Sequence, residues 1–148
     1  RVQFCMAFSA KTEYGLVALI DLASAYGGGG LLQTSEICKR HGIPERYLEQ
    51  MLTALRKGGY LKSIRGPRGG FQLSRPPEQI SVAEIETCLE GEGRQERQGN
   101  RQDPEFRALS ALDQRLDEAR SAILAQATLA SLLQERDRFR HAVPRFYI

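Results

Sequence analysis

Apolar positions recur at helical spacing through most of the chain, and the places where the rhythm changes mark its working parts. From Ser9 the text AKTEYGLVALIDLASAY places Leu16, Leu19, Ile20 and Ala23 three and four residues apart, which predicts a first helix capped by Ser9 or Thr12. Gly27–Gly30 ends it, because four consecutive glycines cannot sustain a helix. Thr34 or Ser35 is expected to cap a short second helix, Ser35–His41, with Ile37 and Cys38 inward. After His41-Gly42 a third helix is expected, with Pro44 in its first turn and its end near Lys57. Its buried stripe is Tyr47, Leu48, Met51, Leu52 and Leu55. Two short helices joined by a glycine-containing turn make a helix-turn-helix.

The period then shortens. Tyr60–Ile64 alternates as a strand does, Phe71–Leu73 is its expected partner, and Arg65–Gly70 forms an exposed tip between them. Ser81–Leu89 returns to helical spacing, with Ser81 and Glu84 placed for a capping box. Gly91–Pro104 has no large apolar residue and reads as a flexible loop. From Glu105 to about Ala127 runs the longest expected helix. Leu109, Leu112, Leu116, Ala119 and Ile123 form a narrow seam on it, as in a coiled coil. Thr128 is placed to cap a last helix, Leu129–Phe139, before a basic and aromatic tail.

The expected architecture is therefore mainly α with a small β-wing: a winged helix-turn-helix domain plus a long dimerisation helix. Residues 1–5 read as a remnant or upstream extension, 6–90 as the winged domain and 91–104 as the loop. Residues 105–139 read as the dimerisation helix with a short C-terminal helix, and 140–148 as the tail.

Composition changes this picture only when it is divided. An apolar content of 41% and a charged content of 26% are ordinary for a globular protein, and the net charge is +3. Gln33–Arg75, however, holds nine Lys/Arg against three Glu, a balance of +6. Glu78–Glu118 holds eleven Asp/Glu against five Arg, a balance of −6. The first segment suits a polyanion. No apolar run approaches the ~20 residues of a membrane span, and no secretory pattern is visible, so no membrane partner and a cytoplasmic location are expected. Three scattered cysteines suit reduced thiols rather than a disulfide framework.

Candidate chemistry lies in two places. Arg46, Tyr47 and Gln50 fall within one turn at the start of the third helix, where a recognition helix meets base edges; the bland alternative is a solvated face with Tyr47 half in the core. Arg65 and Arg68 stand on a Gly/Pro frame whose small residues allow close approach to a backbone, and a protruding arginine suits a narrow minor groove. The seam residues favour a partner helix, and a two-fold homodimer would match a palindromic site on double-stranded DNA. His41 and His141 lack neighbours at ligand spacing, so no zinc site is expected. No phosphate-cradling loop and no nucleophile with an adjacent base are visible, so the chain is not expected to be an enzyme.

The string ERYLEQMLTALRKGGYLKSIRGPRGGFQL, preceded by AKTEYGLVALIDLA, resembles the Rrf-type bacterial transcription regulators, and the likeness runs from about Met6 to Leu89 and by pattern to about Leu133. The resemblance implies a winged-helix homodimer. Tyr47, Glu49 and Gln50 would match its base-reading positions, and Arg65 its wing arginine. Cluster-binding members carry three cysteines in the loop before the long helix; Gly91–Pro104 has none. No cofactor is therefore expected. A redox- or iron–sulfur-responsive regulator, with an atypical site using Cys88 and Glu13 or a sensing thiol at Cys88 or Cys38, stands as the alternative, alongside a protein-interaction module built on the same scaffold. A repressor of transcription is the expected function.

Overall fold

The computed structural model describes residues 7–91 and 97–142. The upstream segment Arg1–Cys5, residues 92–96 of the loop and residues 143–148 of the tail lie outside the described residues. The first helix, α1 (Ala10–Tyr26), begins where Ser9 Oγ accepts the backbone N–H of Thr12 at 3.2 Å. It ends at Gly27.

Helix α2 spans Thr34–His41, and its cap is Gln33 rather than the expected Thr34 or Ser35. The reason is a pairing that local pattern does not show. Leu32 is held extended by a two-way backbone bridge to Phe71 (3.0 and 2.8 Å), so the chain leaves the extended state one residue early. The Glu36 carboxylate then accepts the Gln33 backbone N–H at 3.3 Å. Gly42 ends α2 in the left-handed region (φ 67°), which an L side chain rarely adopts.

Helix α3 spans Glu45–Lys57. Pro44, expected inside its first turn, is the residue before it: its backbone is extended and its carbonyl accepts from Tyr47 and Leu48. Leu48, Met51, Leu52 and Leu55 are buried as expected, while Tyr47 is only half-buried. Strands β1 (Leu61–Ile64) and β2 (Gly70–Leu73) pair antiparallel, with Leu61 opposite Leu73 and Ile64 opposite Gly70. A side chain at Gly70 would lie 2.6 Å from the Leu32 carbonyl oxygen, so the bridge that anchors the wing requires glycine there.

A 3-10 turn at Pro77–Gln79 leads to α4 (Val82–Glu90), capped by Ser81 and Glu84 in the expected box (Glu84 N–H to Ser81 Oγ, 3.1 Å). The long helix α5 covers Pro104–Gln126, about 34 Å at 1.5 Å per residue. α6 covers Leu129–His141, capped by Thr128. The break between α5 and α6 is held against the start of α4: Val82 N–H donates to Ala127 O at 2.8 Å and Leu129 N–H to Ile80 O at 3.0 Å.

One core joins these parts. Leu19, Leu22, Ile37, Leu48, Leu52, Leu55, Ile80, Ile85 and Leu129 are all at most 1% exposed. Each buried leucine or isoleucine contributes roughly 1.5–3 kcal/mol of transfer free energy, so the C-terminal segment, through Leu124 and Leu129, is part of the same hydrophobic unit as the helix-turn-helix.

Candidate DNA-binding surface

The inward stripe of α3 fixes its rotation, and the opposite side is left to solvent. Arg46, Glu49 and Gln50 are exposed on that side. Tyr47 lies beneath Arg46: the guanidinium sits 5.2 Å from the ring centroid, and its Nη2 is 3.4 Å from the phenol oxygen. This stack explains why Tyr47 does not join the core as the stripe suggested. It also pre-orders a cation at the first turn of α3.

The hairpin tip presents the second group. Arg65 and Arg68 are both exposed. Their frame is shaped by glycine: Gly66 has φ 117°, Gly69 N–H donates to Gly66 O at 2.9 Å, and a side chain at Gly69 would run into the Ile64 carbonyl. Arg75, counted in the same basic segment, has an internal role instead. It stacks 4.8 Å from the Tyr60 ring centroid and lies 3.7 Å from Glu84. That position holds the base of the hairpin to α4.

Sequence reasoning passed over Asp21. It is 4% exposed on α1, and its Oδ2 lies 2.6 Å from His41 Nε2 and 3.1 Å from Arg40 Nη1. The available signal was an acidic residue inside an apolar stripe, in Leu19-Ile20-Asp21-Leu22. A carboxylate is buried at such a place only when it is paired.

The seam of α5 is exposed in the single chain. Leu109, Leu112, Leu116 and Ile123 are 65%, 49%, 62% and 67% exposed, and Ala119 is exposed as well. Leu124 alone on this helix is buried among the described residues.

Cys88 and Glu13, the candidates for an atypical cluster, are each half-buried. The Cys88 thiol points to the end of α3, 3.6 Å from Ala54 O, and burial pushes its pKa up. Its neighbours Leu89 and Glu90 face α1: Leu89 packs against Gly15, and Glu90 accepts from Ser9 and Thr12. Cys38 is also half-buried, and burial together with Glu45 and Glu49 raises its pKa. Among the described residues no group of three or more His, Cys, Asp or Glu could hold a metal ion. A lone thiol aimed at a backbone carbonyl does not fit the several thiolates of a cluster.

Residues 8–135 match the family described as Rrf2, iron-dependent transcriptional regulator. The regulator IscR of Cereibacter sphaeroides is 44% identical over 86 residues, which cover 57% of this chain and 56% of that protein. CymR of Bacillus subtilis is 41% identical over 86 residues, 58% of this chain and 62% of that one. The chain thus spans little more than half the length of these curated relatives. Among solved structures, IscR of T. potens superposes with a TM-score of 0.76 at 30% identity, covering 97% of this chain and 98% of that one. CymR of B. subtilis, described as a global cysteine regulator, gives 0.73 at 32% identity over 88% and 98%. With a match over most of its length and a superposition that takes in both the wing and the long helix, the chain belongs to the Rrf2 family of transcriptional regulators.

Proposed function

We propose that the protein is a sequence-specific DNA-binding regulator that acts as a homodimer, more often closing a promoter than opening it. The observation that carries this reading is the exposed face of the first two turns of α3, with Arg46, Glu49 and Gln50, standing beside a glycine-framed hairpin tipped by Arg65 and Arg68. Gln50 and Arg46 have the donors to read base edges in a major groove, whereas Arg65 and Arg68 suit phosphates and a narrow minor groove. In the second copy the same elements repeat about a two-fold axis along the α5 seam, so the expected operator is palindromic. The family's members are transcriptional regulators, and no catalytic role is assigned to any residue.

The family description names iron; no group of three or more His, Cys, Asp or Glu among the described residues could hold a metal ion, and no step of this function is routed through one. Gel-shift titration against genomic promoter fragments tests the reading. The expected result is nanomolar-range retention of specific fragments, with affinity falling steeply between about 50 and 200 mM salt as displaced counterions return. Weak, salt-insensitive binding to all DNA overturns it.

A further inference from the structure

The helix that leads into α3 has little of its own to hold it. α2 is eight residues long, and Ile37 is its one buried residue. Helices this short are not stable alone; beside Ile37 only the half-buried Cys38 packs on the core from within α2, and the core is met again at Ile43 beyond its end. The end of α2 is where Arg40 and His41 meet Asp21. Both side chains belong to the last turn of α2, where the helix dipole favours the Arg40 guanidinium, and both converge on one carboxylate oxygen of α1. Gly42, Ile43 and Pro44 are all that separate this clamp from the first residue of α3.

We infer that Asp21 is a positioning residue for DNA recognition: by gripping Arg40 and His41 it sets the direction in which the chain leaves α2, and so the angle at which α3 presents Arg46, Glu49 and Gln50. The inference rests on the DNA-binding reading above. The carboxylate is 3% exposed, so its position is set by α1 and the core; Arg40, 47% exposed, and His41, 30% exposed, follow it. Apolar packing fixes where α2 lies, and the polar cluster on Asp21 fixes its tilt. Charge-assisted contacts are directional, which apolar ones are not.

The test uses the full chain with His41→Ala, His41→Gln and Asp21→Asn, compared at one salt concentration on the operator fragment. Circular dichroism confirms the fold of each. His41→Ala and Asp21→Asn are expected to weaken specific binding at least about threefold, as coupled neighbours do. His41→Gln, whose amide can still donate to Asp21, is expected to restore it. Hydrogen exchange of the free proteins supplies the second readout: the hydrogen-bonded amides of Gly42, Ile43 and Tyr47 exchange faster in His41→Ala, while those of α1 do not change. Affinities equal to the parent's, or loss with His41→Gln equal to that with His41→Ala, overturn the inference. If the parent binds no DNA, the DNA-binding reading fails, and the exchange data alone decide whether the clamp orients α3.

Discussion

Arg120 of α5 and Glu86 of α4 grip each other through two parallel hydrogen bonds, Nη1 to Oε1 at 2.6 Å and Nη2 to Oε2. The same guanidinium reaches the Ala7 carbonyl at 2.9 Å and lies 5.8 Å from the Phe8 ring centroid. One side chain thus ties the long helix to α4 and to the start of the chain. Glu86 is 17% exposed and Arg120 38%, so solvent screens part of the pair.

Arg120→Ala is therefore expected to cost about 1 kcal/mol, the upper end for exposed pairs, because the fork is bidentate and several partners are lost together. In a chain of this size that is a fall of roughly 2–4 °C in melting temperature. Arg120→Lys should recover little, since lysine keeps the charge but not the planar fork. Calorimetry of the three proteins measures this; equal melting temperatures would remove the clip from the account.

At the wing, Arg65→Ala is expected to weaken operator binding by about 1–3 kcal/mol. Arg68→Ala should act evenly across sequences and lower the salt slope by about one unit. Fold and dimerisation should be untouched, because both side chains are exposed. Gel shifts over a salt series separate the two roles.

On α5, Leu116→Glu places a charge in the middle of the exposed seam. If that seam is the dimer contact, the variant sediments as a monomer with an unchanged helical content, and operator binding collapses because two half-sites can no longer be held at once. A variant that stays dimeric shows that the partner contact lies elsewhere.

Glu90 gives a pH dependence with a defined sign. Hydrogen bonds from Ser9 Oγ (2.5 Å) and Thr12 Oγ1 (2.7 Å) hold its pKa below its ordinary value of 4.5, and Arg120 adds to the effect. A carboxylate whose folded pKa is depressed contributes stability that is complete above its ordinary pKa and is lost as pH falls through the folded one. Thermal melts are therefore expected to decline below about pH 4.5. Glu90→Gln should show a shallower decline over that window while starting from a lower value at pH 7.

How much of this was legible beforehand depends on the range over which each feature is decided. The wing, the third helix and the Ser81–Glu84 box could be read from neighbouring residues, because turn chemistry, capping and apolar spacing act within a few positions. α2 starts one residue earlier than its local pattern predicts, since its start depends on Leu32 pairing with Phe71, thirty-nine positions away. Tyr47 fitted the buried spacing but sits half out under Arg46, a contact that spacing cannot show. Arg75 counted as one more cation until its stacking on Tyr60 and its approach to Glu84 gave it an internal task.

The amino-acid sequence by itself determined the element order, the basic cast of Gln33–Arg75, the arginine-tipped hairpin and an apolar seam along the last long helix. Each follows from residue type and local period. Only the tertiary structure decided that Asp21 is buried against Arg40 and His41, that Arg120 closes on Glu86, and that Cys88 faces Ala54 rather than α1. These pairs lie 19 to 34 positions apart, and which charged groups meet at that distance is set by how the helices pack against their shared core.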